Sequence, residues 1–208
     1  MKTATPRPTK HQVVDEHGQD GAKEIRFYRA NEKPYGAFSN LFQRPVVFED
    51  RVFPTAEHAY QAGKARKQEV KEWILSAPSP GLVAMAAHGL YTWDIVPNWS
   101  QIKFDRMRAV LRAKFTQHGD LSDLLVSTGD ARIVEVGRVN NGVNRTWGEV
   151  NGKGLNMLGV LLMELRAELK QGETDSRKTR SNGARNGRVK TTIRDSAATW
   201  SKADSARA

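Results

Sequence analysis

The chain has 208 residues, 38% of them hydrophobic and 27% charged, enough for one sizeable globular domain with tails. It has no cysteine, which excludes disulfides, thiolate metal sites and thiol nucleophiles. A formal charge of +10 and a pI near 10.0 point to an anionic partner or substrate, and no run approaches the roughly 18 apolar residues of a membrane span.

Residues 1–23 are rich in Pro, Gly and polar side chains and lack an apolar signal-peptide core. That composition predicts a flexible leader on a cytoplasmic protein, with no membrane partner. Glu24 to Tyr28 alternates polar and apolar residues, the period of a short strand. Asn31 to Gly36 is turn chemistry, leading into Ala37-Phe38-Ser39-Asn40-Leu41-Phe42. Such a segment either presents a ring and amides to a ligand or is a loop pinned to the core by Phe38 and Phe42. Val46–Phe48 and Arg51–Phe53 flank Glu49-Asp50 as a tight hairpin.

Pro54 to Lys64 follows, with Thr55 as a helix cap and Glu57, Gln61 and Lys64 at i, i+4 and i+7. The spacing predicts a polar stripe on a helix otherwise built of small residues. An acid in the first turn is favoured in its ionised form by the helix dipole. The stripe is either a ligand-framing face or an acid complementing the dipole with a solvated lysine beyond it.

Val70 to Leu75 continues helical. Ser79-Pro80 is an N-cap with Pro at N1, opening an apolar helix that Gly89 ends. His88 reads as structural or exposed, since no second ligand stands at metal spacing. Ser100 is the expected cap of a long helix through about Gln117, with Ile102, Met107, Leu111 and Phe115 inward and Lys103, Arg106, Arg108, Arg112 and Lys114 supplying charge. Asp120 is the expected cap of a helix carrying Leu121, Leu124 and Leu125. Arg132 to Val136 reads as a buried strand with an unusual acid, Glu135.

Asn140 to Gly154 reads as a long glycine- and amide-rich loop, without Walker or dinucleotide-binding spacing. Leu155 to Leu169 is the strongest core helix, its face made of Leu158, Leu161, Leu162, Leu165 and Leu169. From Gln171 onward nine Lys or Arg stand against four acids with few large apolar side chains. This predicts a basic disordered tail, either a nonspecific nucleic-acid contact or a solvated extension. The domain reading is a leader at 1–23, one compact domain at 24–170 and a tail at 171–208.

Phe27-Tyr28, Tyr35-Gly36-x-Phe38-Ser39-Asn40, Pro54-Thr55-Ala56-Glu57-His58-x-Tyr60-Gln61-Ala62-x-Lys64, Asn98-Trp99, Leu111-Arg112-Ala113-Lys114-Phe115, Trp147-Gly148 and Gly154-x-Asn156-x-Leu158-Gly159 occur in this order. Together they resemble the NADAR family of N-glycosidases, over roughly Phe27 to Leu169. The resemblance implies an α+β, mostly helical, compact single domain with a small sheet or hairpin and several packed helices. It implies hydrolysis of a bond between ribose C1 and a base nitrogen, on phosphorylated riboflavin-pathway ribosides or on ADP-ribosylated guanine in nucleic acid. It implies no metal or other cofactor.

Carried over by position, Glu57, Trp99 and the acid of an Asp-x-x-Trp-Gly segment would line the active site, with Lys64 as a nucleophile candidate. Here Asn144 stands where the family commonly has that Asp, so Asn144 binds ribose, or Glu135 or Glu149 takes the acid's role, or activity is reduced. The expected catalytic residues are thus Glu57, Lys64, Trp99 and Asn144. Substrate contacts are assigned to Tyr35, Gly36, Phe38, Ser39, Asn40, Gln61, Glu135, Trp147 and Gly148, with Arg29 for phosphate. A nucleic-acid ADP-ribosyl hydrolase, a metabolic riboside N-glycosidase and a non-catalytic ADP-ribose reader all remain open at this point.

Overall fold

The computed structural model describes residues 23–186. The leader falls outside them except for Lys23, as does the tail beyond Asn186. In chain order the elements are β1 (Glu24–Phe27), β2 (Val46–Phe48), β3 (Arg51–Phe53), α1 (Ala56–Ala62), α2 (Gln68–Leu75), α3 (Pro80–His88), α4 (Trp99–Gln117), α5 (Gly119–Ser127), β4 (Arg132–Glu135), α6 (Gly142–Trp147) and α7 (Met157–Asn186). The fold is α+β and mostly helical. No described helix is long and apolar enough to cross a membrane.

β1 and β4 pair in parallel, with Phe27 opposite Glu135, so two segments more than a hundred residues apart end side by side. β2 and β3 form the expected hairpin. Glu49 and Asp50 both take positive φ, 49° and 57°, as a two-residue turn matched to strand twist requires. Phe27, Phe38 and Phe115 pack ring against ring at the centre. A second cluster of Ala65, Ile74, Val83 and Ala87 joins α2 and α3 to the segment after α1.

Several boundaries move for physical reasons. α4 starts one residue before Ser100, because Asn98 adopts a left-handed backbone (φ 61°) and its carbonyl accepts from the amides of Gln101 and Ile102. Ile102 is exposed and does not join the core. Asp120 lies inside the first turn of α5, not at its cap. The Asn140–Gly154 loop contains α6, capped by the Asn141 carboxamide accepting from the Asn144 amide at 2.8 Å. α7 passes Leu169 and Gln171 and runs to Asn186, with no proline after Pro97 to stop it. The chain divides into two units after Ala167, and from Glu168 the described part of the second is the remainder of α7.

The charge that α4 supplies is partly internal. Lys114 is fully buried, its amine donating to the Ala37 and Ser39 carbonyls at 2.5 and 2.9 Å. Burial pushes its pKa down to about 7. Arg106 donates to the Ala59 and Tyr60 carbonyls at 2.7 and 3.0 Å, holding the last turn of α1, and pairs with Glu49 at 2.8 Å. These two cations fix the two chain segments that carry the site.

Gly159 marks the closest approach of α7 to β4, since a Cβ there would overlap Ile133 O and the Asn156 side chain. Alanine is the better helix former by about 1 kcal/mol, but overpacking against backbone costs about 1–3 kcal/mol. Gly159→Ala is therefore expected to destabilise the domain, as a lowered midpoint in urea denaturation.

Candidate functional site

A cleft opens where the end of β4, α1, α3 and α6 meet. Its first lobe, about 260 Å³, is lined by Tyr28, Ser39, Asn40, Glu57, Tyr60, Gln61, His88, Glu135, Arg138, Asn144, Trp147 and Gly148 among others. Its second, about 490 Å³, is lined by Tyr60, Gln61, Lys64, His88, Trp99, Lys103, Val143 and Trp147 among others. Tyr60, Gln61, His88, Val143 and Trp147 belong to both, so the lobes adjoin. Tyr60 stacks obliquely on Trp99 at 5.2 Å and edge-on to Trp147 at 5.6 Å, making an aromatic wall between them.

Thr55 caps α1 as expected, accepting from the His58 amide. Gln61 donates to Glu57 at 2.8 Å, the anticipated i, i+4 pair. α1 ends at Ala62, however, and Lys64 lies beyond its Gly63 cap, so it is not carried on the helical stripe. Its amine turns to the Ala87 carbonyl at 2.5 Å and faces the second lobe. Gly63 is required there because a Cβ would overlap the Arg106 guanidinium.

The protonation of Glu57 departs from the dipole expectation. Burial drives its pKa up to about 7, against the lowering effects of Gln61 and Lys64. Removal of a carboxylate from water outweighs a helix end, which is worth about 0.3–1 kcal/mol. Glu135 is also pushed up to about 7, first by burial and then by the Glu57 charge. Two acids whose charges oppose each other line one lobe and titrate as a pair. Burial lowers the Lys64 pKa, opposed by the Glu57 charge, and raises that of Tyr60, which stays protonated.

Glu135 is set by backbone from two sides. The Asn156 carboxamide accepts from its amide at 3.1 Å and donates to the Ile133 carbonyl at 2.8 Å. Gly148 packs against its carbonyl so closely that a Cβ would overlap the oxygen. Glu149 is turned away and paired with Arg132, so of the two alternative acids Glu135 alone lines the cleft. The Glu57 amide donates to the Asn40 carbonyl at 3.0 Å, and Lys114 holds the preceding residue.

Two buried acceptors, Asn40 Oδ1 and Gln61 Oε1, have no partner among the described residues, and both residues line the first lobe. They are ready for N–H or O–H donors of a ligand. Asn144 donates to the Val139 carbonyl at 2.8 Å, which leaves its amide oxygen for the cleft.

Of the expected contacts, Ser39, Asn40, Glu57, Gln61, Glu135, Asn144, Trp147 and Gly148 meet in the first lobe, and Lys64 and Trp99 join in the second. Tyr35, Gly36, Phe38 and Arg29 line neither. Phe38 is fully buried against Phe27, and Gly36 is needed because a Cβ would overlap the Arg29 and Ala30 carbonyls. Arg29 lies exposed by the Tyr28 ring. The cation that does reach the first lobe is Arg138, its guanidinium 4.3 Å from the same ring. Its only signal in the sequence was its position just past the strand that carries Glu135. Tyr60, three residues after Glu57, and Lys103 had also gone unassigned. No group of three or more metal-binding side chains occurs among the described residues.

The NADAR domain model matches residues 26–170. The chain belongs to the NADAR family. It is 38% identical over 163 residues to the N-glycosidase YbiA of Shigella flexneri serotype 5b, covering 78% of this chain and 97% of that protein. A riboflavin biosynthesis protein of Vibrio vulnificus is 29% identical over 148 residues, 71% of this chain but 39% of its own length. The NMR structure of Escherichia coli YbiA superposes with a TM-score of 0.65 at 36% identity, covering 78% of this chain and 93% of that one. The kinship of this NADAR domain is with N-glycosidases.

The raised carboxyl pKa values fix a sign. Glu57 and Glu135 hold their protons more tightly folded than unfolded, so their contribution to stability is full below about pH 4.5 and is lost as pH rises through about 7. Glu57→Gln/Glu135→Gln should therefore gain stability over the parent between pH 5 and 8 in denaturant titrations. Arg138→Met should weaken binding of a phosphorylated ligand about tenfold by calorimetry, while Arg29→Met should not.

Proposed function

We propose that this chain hydrolyses the bond between ribose C1 and a base nitrogen, and that ADP-ribose attached to guanine in nucleic acid is its substrate. The observation carrying this reading is the pairing of lobes: one holds two acids with raised pKa values, and the other holds flat rings beside amines. A phosphorylated monoriboside needs one lobe, whereas ADP-ribose joined to a base extends across both. The overall charge of +10 favours so anionic a substrate.

With both pKa values near 7, the acid pair carries about one proton at neutral pH. The protonated member gives that proton to the leaving base as the C1–N bond breaks with its electrons going to nitrogen. The ionised member faces the positive charge that develops at C1, and water then adds there, giving its extra proton to the carboxylate that the first step left ionised. Asn40, Gln61 and Asn144 accept hydrogen bonds from ribose and base. Trp147 and Tyr60 stack on flat groups, and Arg138, Lys64 and Lys103 take the phosphates. With its lowered pKa, Lys64 is also suited to trap an opened sugar aldehyde as an imine.

The metabolic reading is favoured by the riboflavin biosynthesis name of one relative. Incubation with an ADP-ribosylated oligonucleotide, and separately with a phosphorylated aminopyrimidine riboside, separates the two by which base is released. Binding of ADP-ribose without release from either would leave a reader module. On the true substrate Glu57→Gln should lower kcat by about 10² or more with ligand affinity nearly unchanged. Borohydride during turnover should leave a sugar on Lys64 if the imine forms and none if the lysine only binds charge.

A further inference from the structure

Beyond α3 the chain carries two aromatic side chains that the cleft does not use. Tyr91 and Trp93 stack on each other at 4.6 Å, their planes 9° apart, yet they are 65% and 63% exposed. Each ring covers one face of the other and leaves the outer face to solvent. The turn bearing them is zipped to the segment that leaves α1. Ala65 bridges Ile95 in antiparallel fashion, the Arg66 amide donates to the Asp94 carbonyl at 2.7 Å, and the Val96 amide donates to the Lys64 carbonyl at 2.9 Å. Arg66 and Lys67 are thereby held on the segment paired with the turn that bears the rings, both exposed. Lys67 stands 3.7 Å from Asp94, which offsets that acid, and the Arg66 guanidinium has no partner among the described residues.

We propose that Tyr91 and Trp93, with Arg66 and Lys67, form a docking platform for a single-stranded nucleic acid beside the cleft. Charge selects the occupant. Exposed rings alone would suit many partners, but rings on a turn paired with a segment bearing two exposed cations, on a chain of charge +10, match a polyanion that also offers flat bases. A duplex keeps its base faces inside the stack, so the strand must be single or locally opened. The platform is continuous with the site: His88, at the rim of both lobes, ends α3 three residues before Tyr91, and Lys64 of the second lobe precedes Arg66 by two. A strand stacked on Trp93 is thus led toward the second lobe. The proposal extends the nucleic-acid reading of the cleft, but it can be tested separately.

The full chain is titrated, by fluorescence anisotropy, into a labelled twelve-nucleotide oligothymidylate and into an abasic phosphodiester of equal length. The parent should bind the base-bearing strand about tenfold or more tightly, as stacking on one or two rings provides. Tyr91→Ala/Trp93→Ala should abolish that preference and leave abasic binding unchanged, Trp93→Phe should retain it, and Arg66→Ala should weaken both. Equal binding of the two strands by the parent, or a preference that survives the double substitution, overturns the platform. In the first case the rings would face a protein partner; in the second another surface would read the bases. Riboside hydrolysis by the double variant should match the parent. A protein that hydrolyses neither substrate yet keeps a Trp93-dependent base preference would refute the glycosidase reading and leave the platform standing.

Discussion

Holding Glu57, buried, and Glu135, half-buried, against one cavity is unfavourable twice, once for lost hydration and again for the repulsion of their charges, and much of the surrounding structure can be understood as keeping them there. Glu57 is anchored through its amide to the Asn40 carbonyl and through its carboxylate to Gln61. Glu135 is anchored through Asn156 and by the close approach of Gly148. A pair so placed resists full ionisation near neutrality, and in the proposed hydrolysis one member would serve as acid and the other as stabilising anion. The same two residues on the surface would both be ionised and would have no such division of labour.

Cations support this arrangement from behind. Among the described residues Lys114 has no carboxylate partner; it is solvated by two backbone carbonyls and lies near the Phe42 and Phe115 rings, 5.6 and 5.2 Å from their centroids. Because those carbonyls belong to Ala37 and Ser39, the lysine orders the strand of chain that forms one wall of the first lobe. Arg106 does the same for the end of α1. Part of the chain's basic excess is therefore structural, while other cations, such as Arg66 and Arg138, are left to meet a ligand.

Signals confined to a few residues were legible in the sequence. The Thr55 and Ser79 caps, the Glu49-Asp50 turn and the Gly89 stop each depend on neighbours within one or two turns and have their expected form, and the leucine face of α7 is buried at Leu158, Leu161, Leu162 and Leu165 but only half-buried at Leu169. α6 was hidden because its glycine and asparagines read as loop residues, whereas Asn141 uses its side chain to start a helix. Arg29 and Arg138 could not be ranked for the same reason that Phe38 could not be told from a ligand contact. The parallel pairing of β1 with β4 decides which of these side chains meets the cavity, and no local pattern reports it.

By itself the sequence determined the family, the α+β class, the starts of α1 and α3 and many, not all, of the residues that line the cleft. These follow from backbone chemistry and from motifs that keep their order along the chain. The tertiary structure alone decided the protonation of Glu57 and Glu135, the inward turn of Lys114, the two-lobed shape of the cleft and the isolation of Tyr91 and Trp93 at the surface. Each of these depends on how much water remains around a group, and that is set by segments distant in the chain that fold against it.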